Sequence, residues 1–438
     1  MELDSTMLAR ILTSVTLGFH IIFASMGVGI PLVISIAEFI GIRKKDKAYL
    51  LMARRWTRGF TVTVAVGVVT GTCIGLQLSL LWPSFMKLAG EVIALPLFLE
   101  TFMFFFEAIF LGIYIYTWDR FKNPYLHWLI SIPVIIGSTG SAFFIMTVNA
   151  FMNTPQGFTL VDGVLRDIQP MVAMFNPATP SKVGHMVFAS YATSAYVMAA
   201  IAALGILKGK THSYHKKALN LSLTLAFIFS MGTAVWGDIA GKFLAEYQPV
   251  KLAAAEWHFE TTDKAEFVFG GILDKEKQEV KYAIKVPYAL SILATNSPNG
   301  VVVGLNDIPR DEWPPLFIHY LFDSMAAIGG YMALVPVLYF LIVKVRKRMP
   351  PKWILWASAL GAPLGFLAIE FGWMFAEIGR QPWILNGYLR TMHAATTANN
   401  VGEMLILFCL LYAFLGTVCA LVLKRMFKDK PVELELEK

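Results

Sequence analysis

Apolar residues run through this chain in nine blocks of about 20 or more, at 11–40, 57–82, 95–117, 127–150, 184–207, 218–242, 314–343, 353–376 and 400–423. Blocks of that length with few charges are long enough to cross bilayer hydrocarbon as helices, so the pattern predicts an all-α polytopic membrane protein. The connections between blocks alternate in character. Lysine and arginine gather in every second one: seven in 43–58, two at Arg120 and Lys122, four in 208–217, five in 344–352 and five from 424 onward. Those 23 of 37 cations lie in short connections and the C-terminal tail, whereas the others are spread through longer segments with many acids. Because short cytoplasmic loops collect Lys and Arg, the N-terminus is expected outside and the C-terminus in the cytoplasm.

The chain therefore divides into spans 1–6 (1–242), an outer segment (243–313), spans 7–9 (314–423) and a charged cytoplasmic tail (424–438). Residues 151–183, punctuated by Pro and Gly, are expected to be partly helical. The outer segment is the largest polar piece, with dense charge in 251–266 and 274–285. Long loops in compact proteins are commonly functional, so this one reads as a binding or lid segment. Composition agrees with the membrane class: 56% of residues are hydrophobic and 15% charged, with a mean hydropathy of +0.60. The first block is too long for a signal-peptide core and passes into basic residues without a cleavage pattern. Cys73, Cys409 and Cys419 all fall inside apolar blocks, which argues against disulfides. No C-x-x-C-H occurs, so any haem would be held without thioether links, and no nucleic-acid signature is present.

Ionisable residues inside spans are costly and mark function. His20 lies about ten residues into span 1, and a hydrogen-bonded core role and a ligand role both fit a lone histidine. Span 2 carries Gln77 and a glycine face, Gly67, Gly71 and Gly75, suited to close packing. Span 3 reads L-F-L-E-T-F-M-F-F-F-E-A-I-F. Its Glu100 and Glu107 share one helix face, stepping about 10 Å inward, as in a proton relay or a cation site. Asp119, at the inner end, is either the mouth of that relay or an interfacial acid beside Arg120. Asn149 and Asp238 lie near the outer ends of spans 4 and 6. Span 5 opens with V-G-H-M-V-F-A-S-Y, placing His185 just inside the boundary. In span 7, I-H-Y-L-F-D-S-M offers His319, Asp323 and Met325 within two turns. A His/Met pair suits low-spin haem, although Met is also common core filler.

Residues 370–383 read E-F-G-W-M-F-A-E-I-G-R-Q-P-W. Glu370 and Glu377 lie two turns apart on one face, and Arg380 and Pro382 end the helix. An interfacial salt bridge with aromatic anchors and a functional buried carboxylate both fit. His20, Glu100, His185, Met325 and Glu377 come from five spans, yet all fall in the outer half. A transporter using Glu100, Glu107 and Glu370 would place its site nearer the midplane. Several haems beside an outer quinol site fit the clustering better. A haem b electron-transfer anchor would need only one ligand pair and leave His20 and Glu377 idle.

From first span to last, the chain resembles the haem-bearing subunit I of cytochrome bd-type quinol oxidases. G-W-M-F-A-E-I-G-R-Q-P-W (372–383) is similar to the family's GRQPW signature, and Q-P-V-K-L-A-A-A-E (248–256) to the start of its quinol-binding loop. The V-G-H-M motif and the span-3 Glu pair extend the match. The resemblance implies a terminal respiratory oxidase with two haem b groups and one haem d, or a third haem b, in the last place. His185 and Met325 would hold the low-spin haem b, Glu377 the high-spin haem b and His20 the haem d iron. Glu100 and Glu107 would form the proton route, Lys251 and Glu256 the quinol site, and Arg380 would neutralise Glu377 or a propionate. Arg10, Asn149 and Asp238 stand in family-like positions without an assigned role. Membrane quinol and O2 would be the substrates, and a similarly folded subunit II and a small single-span subunit the partners, in a bacterial or archaeal cell membrane. Outer quinol oxidation with protons drawn from the cytoplasm would generate a proton-motive force without pumping. The chain departs from some relatives at Asp323, where they carry a basic residue, and its outer loop is of the short type.

Overall fold

The computed structural model describes residues 4–210, 212–347, 349–428 and 431–436. Arg348, Lys430 and Lys438, counted above among the inner cations, lie outside the described residues. Among the described residues, nine helices are long and apolar enough to cross a membrane. They are α1 (Ser5–Lys44), α2 (Lys47–Leu81), α3 (Pro83–Tyr116), α4 (Pro124–Asn153), α6 (Thr179–Leu207), α7 (Ser213–Tyr247), α10 (Ile318–Phe340), α11 (Lys352–Ile378) and α12 (Val401–Lys428).

Most helices begin before their apolar blocks because capping chemistry, rather than hydropathy, starts them. Asp4 accepts from the Met7 amide at 2.7 Å, Asp46 from Ala48 at 3.0 Å and Asn123 from Tyr125 at 3.1 Å. Pro83 and Pro124 occupy first-turn positions, where the missing N–H costs nothing. α3 therefore starts well before residue 95, and α7 continues past residue 243.

The helices pack in two groups of four. α1 lies against α2 and α4 with α3 against α4, and α6 and α7 lie against α11 and α10. α6 joins the groups by touching α1 and α4, and α12 flanks α1 and α2. The buried face of α6 is rich in alanine, including Ala192, Ala195, Ala199 and Ala203, which lets neighbouring backbones approach closely. A short C-terminal helix, α13 (Val432–Leu436), returns Glu435 to Arg55 and Arg58 on α2.

The connections at one end are short, and those at the other carry small folded pieces. After α4 come β1 (Thr159–Val161) paired with β2 (Val164–Arg166), then α5 (Pro170–Met174). Between α7 and α10 lie α8 (Pro249–Ala255), β3 (Phe267–Phe269), β4 (Ile272–Asp274), β5 (Glu279–Lys281), β6 (Ile284–Val286) and α9 (Ala289–Thr295). β4–β5 is a hairpin nested inside the β3–β6 pair. β7 (Trp383–Leu385) and β8 (Leu389–Arg390) follow α11. These strands have three residues or fewer, too short for hydrophobic alternation to announce them. The α7–α10 segment is anchored by its own core: Leu252, Trp257, Phe259, Leu290 and Leu305 pack with Ile318 and Phe375 of the spans. It forms a fixed cap on the long-loop end.

Candidate functional site

His20 projects from α1 towards α2, where a Cβ at Gly71 would stand 3.3 Å from its Cε1. Its Nδ1 lies 2.8 Å from Thr70 Oγ1. The Thr70 hydroxyl already donates to the carbonyls of Val66 (3.0 Å) and Gly67 (3.2 Å), so its oxygen is left to accept. With that one hydrogen turned to either carbonyl, His20 Nδ1 donates to Thr70 and Nε2 keeps a lone pair. His185 on α6 reaches the same state by a different partner, donating from Nδ1 to the Thr233 carbonyl at 3.1 Å. Gly237, one turn further along α7, leaves space beside that ring. Fixing one nitrogen to fix the other is how metal-ligating histidines are held.

Met325 on α10 faces α11 at Gly372, where a Cβ would lie 2.7 Å from its Sδ. That separation is shorter than any ordinary contact, so the first glycine of G-W-M-F-A-E exists to admit the thioether. His319, the other candidate on α10, is occupied elsewhere. Its Nδ1 lies 2.6 Å from the Ala255 carbonyl and its Nε2 3.1 Å from that of Gly270, with the ring stacked on Trp257 at 3.8 Å. Asp323 accepts from the Gly270 amide at 2.6 Å and sits 3.1 Å from His319 Nε2. Both residues clasp the cap to α10.

Glu377 ends α11 inside a basic cluster. Its Oε1 accepts from Asn149 Nδ2 and its Oε2 from Arg380 Nη2, both at 2.5 Å. Asn149 Oδ1 accepts from Lys182 Nζ at 3.1 Å, and Lys251 Nζ donates to the Ala376 carbonyl at 2.9 Å. Arg380 is buried, yet its Nε and Nη1 have no hydrogen-bond partner among the described residues. Burial drives the Lys251 ammonium well below the ordinary lysine range; Lys182 and Arg380 push the same way and Glu377 opposes them. Two lysines and one arginine thus stand around the Glu377 carboxyl group, with guanidinium donors unspent. A group with two carboxylates, such as a haem with its propionates, would supply the missing acceptors. Together with the histidine lone pairs and the Met325 cradle, these residues fit haem.

Lys182 was missed by the sequence reading. The available signal was its place three residues before His185, on the same helix face. Asn149 is now seen to bridge Lys182 and Glu377. Asp238 pairs with Lys242 at an exposed position, away from this cluster.

On α3, Glu107 is buried where Gly137 brings α4 close: a Cβ there would lie 2.7 Å from the Glu107 amide nitrogen. Its Oε1 has no partner among the described residues. Glu100 is half-buried and accepts from Ser141 at 3.0 Å, on the same face of α4. Glu370 Oε1 is also unpartnered, and its Oε2 faces Gly18, two residues before His20. Asp119 is exposed and pairs with Arg54 at 2.9 Å.

Lys251 and Glu256, expected to share one substrate, stand at opposite sides of α8. Lys251 turns to the Glu377 cluster, and Glu256 to β3, accepting from the Val268 amide at 3.3 Å. Glu256 is only 1% exposed. Burial raises its carboxyl to about 8, against the pull of the Val268 amide and aided by Asp323.

Residues 8–431 match the family described as cytochrome bd terminal oxidase subunit I. The chain belongs to that family. It is 61% identical to a chain of the bd oxidase from Geobacillus thermodenitrificans, with a TM-score of 0.94 over 98% of this chain and 99% of that one. It is 42% identical to a Bacillus subtilis (strain 168) protein named "Putative cytochrome bd menaquinol oxidase subunit I", over 99% of each chain. A second protein of that strain, a cytochrome bd ubiquinol oxidase subunit 1, is 31% identical over 97% of this chain and 94% of its own. As a family member this chain is a multi-pass membrane protein.

Proposed function

We propose that this subunit I oxidises membrane quinol at its long-loop end, outside the cell membrane, and reduces O2 to water with protons drawn from the cytoplasmic end. The observation that carries the reading is a set of preformed ligand positions. Two histidines have Nδ1 committed and Nε2 free, and a thioether is seated against Gly372. His185 and Met325 would hold the low-spin haem b, Glu377 the high-spin haem b, and His20 a haem d or third haem b. When bound, those haems supply one-electron redox steps and O2 reduction.

The chain's own residues do the rest. Glu256, nearly neutral at pH 7 and hydrogen-bonded to the cap, is poised near 8 to take a proton from quinol once ionised. Lys251, Lys182 and Arg380 would offer donors to haem propionates, while Asn149 and Arg380 hydrogen-bond the Glu377 carboxyl group. Gly372 and Gly237 keep space open beside the ligand side chains. Glu107 and Glu100 pass protons up the α3–α4 contact. Two quinols give four electrons and release four protons outside. One O2 takes those electrons with four protons from inside, so charge separates without a pump. A similarly folded subunit II and a small single-span subunit would cover the remaining lipid-facing helices.

Replacing the thioether tests the ligand set. Met325→Leu should remove the low-spin haem signal while the other haem bands survive, and an unchanged low-spin spectrum would overturn the assignment.

A further inference from the structure

Glu100 and Glu107 are two rungs of a ladder with a third. Tyr114 follows Glu107 by seven residues on the same face of α3, carrying the line about 10 Å nearer the short-connection end. It ends in a buried cluster that neither the haem ligands nor the quinol groups use. Tyr114 donates its hydroxyl to Glu38 Oε2 at 2.6 Å, from α3 to α1. His127, on the first turn of α4, lies 2.6 Å from Glu38 Oε1 through Nδ1 and 2.9 Å from the Tyr114 carbonyl through Nε2. All three side chains are buried.

The contacts fix the proton count. A carbonyl only accepts, so His127 Nε2 carries a hydrogen. The 2.6 Å contact between Nδ1 and Oε1 then needs one further proton, owned by the imidazole or by the carboxyl. The pair is a store for one exchangeable proton inside the membrane.

The store has neighbours on both sides. Towards the short-connection end, His127 lies under the rings of Trp118 (4.7 Å) and Phe121 (6.5 Å). Arg54 covers Trp118 and pairs with exposed Asp119. The ionisable groups facing the pair are thus Tyr114 of α3, Asp119 of the α3–α4 connection and, beyond Trp118, Arg54 of α2. Towards Glu107, Tyr114 borders a small cavity that also touches Thr57, Ser131, Leu111 and Val134. Leu111 is one turn from Glu107, and Val134 one turn from Gly137, which touches Glu107. The cavity surface is apolar, and the hydroxyls of Thr57, Tyr114 and Ser131 are turned to the Ala53 carbonyl, Glu38 and Ser35.

We propose that Glu38, His127 and Tyr114 form a proton-loading station: it takes protons from the Asp119 side and passes them through the Tyr114 hydroxyl, one ladder step along α3 from Glu107, towards that carboxyl. The station rests on the proton route proposed above. The bond changes balance as a relay. His127 Nδ1 or Glu38 Oε1 gives up its proton towards Tyr114, whose hydroxyl passes one on, and the pair is reprotonated from the Asp119 side.

The test uses the complete oxidase, with its partner subunits, in proteoliposomes. Two readouts are compared: anaerobic haem reduction by quinol, and quinol-driven O2 uptake from pH 6 to 9. Glu38→Gln should retain the haem bands and reduce haem at the wild-type rate, yet slow O2 uptake at least about tenfold at neutral pH. The deficit should widen as pH rises and bulk protons grow scarce. Glu38→Asp should restore most of the rate. A Glu38→Gln pH profile parallel to wild type, whether equal or uniformly lower, would reduce the cluster to a structural tie and overturn the station. If that variant loses its haem bands, Tyr114→Phe keeps the ring and decides by the same criterion. Wild-type oxidase without O2 uptake would overturn the proposed function and the station with it. Active wild type beside pH-parallel variants would overturn the station alone.

Discussion

A single glycine decides where the thioether of Met325 can sit. Because a Cβ at 372 would stand 2.7 Å from Sδ, Gly372→Ala is expected to displace Met325 and weaken the low-spin haem signal while leaving the protein in the membrane. Reduced-minus-oxidised spectra of that variant check it. Glu256 makes a separate prediction. Its carboxyl is raised to about 8, so the fraction able to accept a quinol proton rises with pH through that value. Quinol oxidation should show a limb climbing to about pH 8 that disappears in Glu256→Gln, as measured by initial rates against pH. At this scale His20, His185, Met325, Glu377 and Arg380 were legible in the sequence as unusual polar or soft groups in apolar surroundings. The committed nitrogen on each histidine was not, because it depends on Thr70 and on a backbone carbonyl that no spacing rule reveals. Nor could sequence separate Met325 from His319, which the cap carbonyls claim.

Among the elements, α3 carries the most consequence. Its acids face α4 where Gly137 brings the two backbones together, so the proposed route and the packing would be one feature. Glu107→Leu should abolish proton delivery and cut quinol-driven O2 uptake by about 100-fold or more, with haem reduction intact. Normal O2 consumption would remove Glu107 from the account. The spans themselves were legible from hydropathy, since length and apolarity alone define them. Their ends were not, because Asp46, Asn123 and Pro83 start helices in polar sequence. Glu38 went unnoticed for a related reason: a lone acid near the end of α1 looks interfacial until Tyr114 and His127 are brought to it from two other helices.

In the whole molecule, function rests on having different chemistry at its two ends. The long-loop end holds a folded cap, the Glu377 cluster and buried Glu256, whereas the short-connection end collects cations and the Glu38 pair. Proteoliposomes should therefore release protons on the side where the 274–285 segment is accessible to impermeant lysine reagents. They should take protons up on the side exposing the 208–217 connection. Release and uptake on the same side would contradict the vectorial reading. The loop cations carry the expected orientation, while the cap's internal strands were hidden in segments too short for periodicity.

The most direct test of the central claim is a dithionite-reduced-minus-oxidised spectrum of the purified protein with its partner subunits, repeated under carbon monoxide. The account predicts low-spin and high-spin haem bands and a red-shifted band that responds to carbon monoxide. Low-spin bands alone, with no carbon monoxide response, or the absence of haem would contradict it.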